Sequence, residues 1–355
     1  MHSSRRNYGC RINDELEYKG LKLITMENEK IKISIFVGKG TDILELVYKP
    51  KDIDFMWVSP KNFSSLDIKG NFLDNSDFLE TYLGGWQEII PNGGSPCTYK
   101  GASYGLHDET PKLPWNYEIL KDNPSEISIK FFLSLKKMPL FIEKNITLKS
   151  NRLEIYIDEK IINKCAVTLN FMWGHHPCFG EPFLSDDCVI SFNAKELVSN
   201  LASISPKPLV KQNSKGTLKK FPGFSGRNVD LSKVLSKNAG VADLLYAKDL
   251  YENWFAVTNL KQNLGIGFLF DSSVFKYLYL WFVYGGGNDY PWYGSTYNLA
   301  IEPWSSYPGL GLIESIKNGT ALEIKPEEEI NSWIKVVVFE KSKPASRIDE
   351  DLNIY

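Results

Sequence analysis

Ile127-Ser128-Ile129-Lys130-Phe131 sets an apolar side chain at every second position, the period of a strand with one face in a core and the other in water. Ile31-Lys32-Ile33-Ser34-Ile35 and Leu153-Glu154-Ile155-Tyr156-Ile157 repeat the pattern. Ile334-Lys335-Val336 runs on into Val337-Val338-Phe339, apolar enough for burial on both faces. Phe275-Lys276-Tyr277-Leu278-Tyr279-Leu280-Trp281-Phe282 is a further strand-like run, bounded by Gly285-Gly286-Gly287-Asn288. No long stretch carries an apolar repeat at helical spacing, and turn signals at Asn92-Gly93, Ser150-Asn151 and Asn318-Gly319 separate the strands. The chain is therefore expected to be all-β and antiparallel. No Pro/Ser-rich linker divides it, so residues 1–355 are expected to form one sandwich-like domain, with the first ~25 residues peripheral. The Ser-, Lys- and Gly-rich stretch 199–237 reads as an excursion of loops with a short helix.

Charge and cysteine content narrow the function classes. The 355 residues hold 41 Lys+Arg against 43 Asp+Glu, a net charge of -2, with no basic run to track a phosphate backbone, so no nucleic-acid partner is expected. Met1-His2-Ser3-Ser4-Arg5-Arg6 starts basic with no apolar stretch behind it, and no segment approaches the roughly 18 apolar residues of a membrane span. Cys10, Cys97, Cys165, Cys178 and Cys188 are odd in number and lack C-x-x-C spacing, which speaks against a disulfide framework and a structural zinc site. A cytoplasmic protein with reduced thiols is expected, and its oligomeric state stays open. Aromatic residues make up 13%, including nine tryptophans, a surplus that serves a core and also the stacking of rings on the C–H faces of a sugar.

Histidine is scarce, and it is the side chain best suited to exchange protons near neutral pH. Of four, His2 is terminal and two are adjacent in Trp173-Gly174-His175-His176-Pro177-Cys178-Phe179-Gly180. Pro177 pushes His176 towards extended geometry, and strand neighbours face opposite sides, so one of the pair works while the other packs, or neither works. Asn298-Leu299-Ala300-Ile301-Glu302-Pro303-Trp304 places one carboxylate at the end of an otherwise apolar strand. Unless paired, such a group has a raised pKa and makes a usable base; the plainer reading is an edge glutamate before a turn. Tyr104-Gly105-Leu106-His107-Asp108-Glu109 carries the remaining histidine on a loop.

At these three places the chain resembles the aldose 1-epimerases, the galactose mutarotase-like family. His175-His176-Pro177-Cys178-Phe179 resembles that family's Asn-His-x-x-Phe segment with His176 at the catalytic position, and Ile301-Glu302-Pro303 with Pro308 resembles its Leu/Ile-Glu-Pro segment. His107 resembles the upstream histidine, and Lys39-Gly40-Thr41-Asp42-Ile43 with Phe55-Met56-Trp57 resembles the N-terminal strands. The likeness runs over residues 30–340. It implies an antiparallel β supersandwich with a sugar cleft and an isomerase that interconverts anomers of a free aldose without metal or cofactor. Glu302 would act as base on the anomeric hydroxyl, His176 as acid on the ring oxygen, and His107 as a hydrogen-bond partner of the sugar. Asp108 stands where the family often has Gly, and Gly84-Gly85-Trp86-Gln87-Glu88 with Pro91-Asn92-Gly93-Gly94 occupies the region of its Gly-Arg-x-x-Asn segment. Trp86, Gln87 and Asn92 are candidates for lining the cleft, and Trp304, where the family commonly has Gln, for stacking on the sugar.

Other readings make different demands. A metal-binding cupin barrel needs His-x-His spacing, whereas these histidines are adjacent. A glycoside hydrolase needs a second carboxylate across from Glu302, with Asp108 or Glu109 as candidates. A phosphosugar site wants clustered arginines, but Arg5, Arg6, Arg11, Arg152, Arg227 and Arg347 are dispersed, which favours a neutral monosaccharide. A carbohydrate-binding protein that kept the cleft and lost turnover is the alternative from another class. Asp54, Asp289 and Gly285-Gly286-Gly287 are further candidates for shaping a cleft.

Overall fold

The alternating segments form strands in the computed structural model, which describes residues 6–18, 20–60 and 77–355; His2 and Arg5 lie outside them. Ile127, Ile129 and Phe131 are fully buried along the strand Glu126–Ser134, while Lys130 between them pairs on the other face with Glu118. Ile31–Phe36, Glu154–Asn163, Tyr277–Tyr284 and Glu329–Phe339 are the other strands expected from pattern. The fold is all-β, and its main sheet has 18 strands.

Antiparallel pairing carries the sheet from Arg11–Tyr18 through Leu21–Glu27, Ile31–Phe36, Asp42–Tyr48 and Trp86–Ile89 to the strand Gly174–Phe179. From there it continues through Tyr297–Trp304 and Tyr277–Tyr284 to the 19-residue strand Val241–Asn259. The first half of that long strand pairs with Tyr277–Tyr284 and the second half with Leu264–Phe270, so it passes the sheet from one wall to the next. Glu329–Phe339, Glu154–Asn163, Leu140–Lys149, Glu126–Ser134 and Asn116–Asn123 complete the circuit. The Tyr117 hydroxyl of the last strand donates to Asp14 of the first at 3.1 Å, so the sheet closes nearly into a barrel around one large apolar cluster.

Two sequence expectations change. Arg11–Tyr18 and Leu21–Glu27 are not peripheral: they form two paired strands that bury Ile12, Ile24 and Met26, because their alternation finds partners inside the sheet. Asn92-Gly93 is not a hairpin turn; Asn92 ends a short strand that pairs with Asp108, and Gly93 presses its backbone against an indole. Ser150-Asn151 does turn between two strands, with Asn151 in left-handed backbone (φ 58°). The 199–237 stretch has only two-residue strands and ends in a single helical turn, Lys237–Ala239. The five cysteines are free, and among the described residues no helix is long and apolar enough to cross a membrane.

Two buried ion pairs sit inside this apolar shell. Lys39 and Asp42 pair at 2.6 Å with no exposure, and Lys144 pairs with Glu88 at 2.9 Å while its ammonium lies 4.9 Å from the Trp115 ring centre. Removing one member of such a pair strands the other in a low-dielectric interior. Lys144→Met is expected to lower stability by roughly 3–5 kcal/mol, measured by urea unfolding at neutral pH.

Candidate active site

The register of four neighbouring strands brings distant residues to one level. Gly174 lies opposite Trp304 and Cys178 opposite Ala300, which sets His176 level with Glu302. Glu302 is in turn opposite Tyr279, and Tyr279 opposite Tyr246. His176 Nε2 stands 3.5 Å from Glu302 Oε1, and both side chains open into a cavity of about 570 Å³. Strand alternation sends His175 the other way, where its Nε2 meets Glu159 Oε2 at 3.0 Å and its Nδ1 accepts from Trp86 Nε1 at 3.1 Å.

Burial sets the protonation of the pair. It pushes Glu302 up to about 8, although Trp304 Nε1 donates to Oε2 at 2.9 Å and favours the charged form. It pushes His176 down to about 4, against a hydrogen bond with its own backbone. Between those limits the two groups together hold one proton, and in the empty site it rests on Glu302. The Tyr82 hydroxyl lies 3.3 Å from His176 Nδ1, which ties the ring to the short helix Phe78–Thr81 just before it.

His107 completes a triangle of ionisable side chains, its ring centre 5.7 Å from that of His176. Burial, then the neighbouring His176, hold it well below the usual histidine range, so it is neutral. Gly94 N–H donates to its Nδ1 at 3.2 Å, which leaves the ring proton on Nε2 as a donor. The backbone of His107 is left-handed (φ 47°), and the loop is held by Asp108, which ion-pairs with Lys112 and Lys137 and accepts from Gly105 N at 3.0 Å. Burial would raise the Asp108 pKa, but the two lysines outweigh it and bring it to about 2.

Of the residues singled out from sequence, His107, His176 and Glu302 face the cavity together, whereas Trp86, Gln87, Asn92 and Trp304 support it from outside. Trp86 packs in the core against His175 and Phe268. Gln87 is buried and donates to Gly84 O at 2.6 Å. Asn92 braces the histidine loop, donating to Gly105 O at 2.7 Å and accepting from Leu312 N at 2.8 Å. Trp304 is fully buried between the backbones of Gly93 and Gly174, where an added Cβ would stand 2.3 and 2.2 Å from the indole. Asp289 and Gly287 do line the cavity, while Asp54 instead caps Leu46 N and Met56 N at 3.0 Å.

Sequence reasoning missed the aromatic walls: Phe78, Tyr82, Tyr246, Tyr279, Trp281 and Trp292. Tyr279 and Trp281 were readable as same-face residues of one alternating run. Asp77-Phe78-Leu79-Glu80 was readable as a helix start, since Asp77 and Glu80 form a capping box. Neither Asp108 nor Glu109 faces Glu302; the Glu109 carboxylate accepts instead from the backbone of Lys136, Lys137 and Met138. Among the described residues one group has metal-ligand chemistry, Glu88, Glu159 and His175, with ligand atoms within 4.8 Å. Their partners already engage both nitrogens of the His175 ring and bind Glu88 to Lys144 and to Trp173 Nε1, so the cluster is a closed core network.

The comparisons with known proteins agree on the fold. A family model described as Domain of unknown function (DUF4432) matches residues 18–338. No curated protein matches by sequence. A solved structure of a provisionally named aldose 1-epimerase from Klebsiella pneumoniae aligns over 94% of this chain and 84% of its own, at TM-score 0.68 and 16% identity. A galactose mutarotase-like protein from Clostridium acetobutylicum aligns over 94% and 99%, at TM-score 0.61 and 13% identity. A galactose mutarotase related enzyme from Lactobacillus acidophilus aligns over 90% and 98%, at TM-score 0.57 and 18% identity. At these identities the likeness establishes the shared fold.

Two outcomes follow from this geometry. Gly174→Ala is expected to cost about 1–3 kcal/mol, because the rigid indole of Trp304 has nowhere to move, and thermal unfolding will show it. Burial raises Glu159 to about 8, with Lys144 opposing, from an ordinary value of 4.5. The folded state thus binds more protons than the unfolded state between those values, and stability from this group falls as pH rises through about 8. Glu159→Gln is expected to flatten the decline in unfolding temperature between pH 6.5 and 8.5 relative to the unaltered protein.

Proposed function

The chain belongs to the family Domain of unknown function (DUF4432), and from that premise we propose that it is an aldose 1-epimerase-like isomerase acting on a free, uncharged sugar. The observation that carries this reading is the pair His176 and Glu302, 3.5 Å apart in a cavity and sharing one proton between pH of about 4 and about 8. Opening a cyclic hemiacetal requires one proton to leave O1 and one to reach the ring oxygen. A pair with one proton and one free lone pair meets both needs.

With the proton on His176 and the charge on Glu302, the carboxylate takes the O1 proton as the imidazolium gives its own to the ring oxygen. The open aldehyde then faces a protonated Glu302 and a neutral His176, the distribution that burial favours. Rotation about C1–C2 and closure with the roles reversed yields the other anomer and restores the pair. His107 Nε2–H would donate to a sugar oxygen near the reacting centre, a neutral donor where oxyanion character develops. Neutral sugar is favoured over phosphosugar because, among the described residues, no Lys or Arg lines the cavity, and a phosphate would need such a partner.

Polarimetry of freshly dissolved aldoses tests the reading. Glu302→Gln and His176→Asn are each expected to slow anomer exchange by about 10²-fold or more, and unchanged rates in both would sink the mechanism. The pH profile of kcat/KM is expected to be bell-shaped, with an acid limb governed by His176 near 4 and an alkaline limb by Glu302 near 8. Sugar binding with no acceleration in the unaltered protein would return the assignment to carbohydrate binding without turnover.

A further inference from the structure

The cavity extends well past the reacting pair, and its floor can be followed residue by residue. On the level of Glu302 the floor is Tyr279 and Tyr246. Two residues along the same strands, about 7 Å further at strand rise, it is Trp281 opposite Leu244. Two residues beyond that, about 13 Å from the Glu302 level, it is Val283 opposite Ala242. Trp281 still touches the reacting pair, its ring centre 5.5 Å from that of His176, while Leu244, Val283 and Ala242 continue the floor beyond it, and all four line the same cavity. Ile204, Pro206 and Trp292 wall the far part, and the exposed side chains of Asn288 and Asp289 stand at its rim.

Size points the same way. A hexopyranose at the packing density of organic crystals occupies on the order of 150–200 Å³, which leaves more than half of the roughly 570 Å³ unfilled when one ring sits at the acid/base pair. The surplus floor joins an indole to aliphatic side chains under a rim of polar groups, which suits a ring with one C–H face and a periphery of hydroxyls. A purely apolar substituent would leave Asn288 and Asp289 without a role. A charged one would find no cation, since none lines the cavity among the described residues.

We infer that the cavity has a second sugar subsite over Trp281, Leu244, Val283 and Ala242, so that the preferred substrate is a neutral reducing disaccharide, its reducing ring at His176 and Glu302. This rests on the proposed epimerase reading and names its substrate class. Anomer exchange needs only a free reducing end, so a second ring linked elsewhere leaves the chemistry unchanged.

The test compares each disaccharide with its own reducing monosaccharide: cellobiose and maltose with glucose, mannobiose with mannose, galactobiose with galactose. Polarimetry gives kcat/KM, and tryptophan fluorescence gives Kd. At least one disaccharide is expected to exceed its monosaccharide by about tenfold in kcat/KM, a difference of about 1.4 kcal/mol. Val283→Trp, which fills the far floor, is expected to bring that ratio towards one. Ile204→Trp, at a position 42% exposed, provides the same block from the wall should the buried substitution impair folding. Monosaccharides turned over as well as every disaccharide, with the ratio unmoved by either variant, would overturn the subsite and leave the epimerase reading standing. No acceleration on any sugar, but tighter binding of a disaccharide that either variant weakens, would overturn the epimerase reading and uphold the subsite. Failure to bind any of these sugars would overturn both.

Discussion

The indole of Trp304 is the part on which the site's geometry depends. Its Nε1–H donates to Glu302 Oε2 at 2.9 Å, its faces stack on Tyr279 (4.9 Å, 17°) and His107 (6.0 Å, 28°), and its edges rest on Gly93 and Gly174. One rigid side chain thereby spaces the strand that carries Glu302, the strand that carries His176 and the loop that carries His107. Its hydrogen bond favours the charged form of Glu302 by only about 1.5–3 kcal/mol, and burial of the carboxylate outweighs it. Glu302 therefore keeps its proton at neutral pH, and its second oxygen stays open to the cavity.

Behind that layer lies a second ionic layer that strand alternation keeps separate. His175 and His176 are adjacent in sequence, yet one belongs to a closed network with Glu159, Glu88, Lys144 and Trp86 and the other to an open cavity. Burial lowers both histidines, to about 3 and about 4, so both rings are neutral at pH 7. What distinguishes them is access. The network behind holds four strands together, while the open pair has one proton and one lone pair to offer a ligand. The histidine behind contributes positioning, through a strand it helps to pin, and no proton.

The fold was legible in the sequence because it depends on residue period, whereas His176 and Glu302 were singled out by the scarcity of histidine, a lone carboxylate on an apolar strand and the family resemblance. Alternation in Ile127-Ser128-Ile129-Lys130-Phe131 reports strand and face directly, and the parity of His175 and His176 says that only one can face a given site. Which side of a wall a residue occupies is not a periodic property. Trp86, Gln87, Asn92 and Trp304 have the side chains of sugar contacts, but long-range pairing turned each away from the cavity and into the frame around it. Phe78 begins a four-residue helix too short to show an apolar repeat and Tyr82 follows its end, and the capping box was the available signal. The N-terminal strands were underrated because their partners lie elsewhere in the chain, and a strand's worth depends on the partner it finds.

Asp108 holds the loop that carries His107 in a strained shape. His107 itself adopts the left-handed backbone and Glu109 does too (φ 72°). Such a backbone holds only where surrounding contacts over-determine it. Asp108 supplies them, binding Lys112, Lys137 and Gly105 N at once, while Asn92 secures Gly105 O from the other side. The loop is thus held by charge in place of backbone freedom. Because Gly94 N–H occupies the His107 Nδ1, that rigidity passes on as a fixed tautomer, with the ring proton on Nε2.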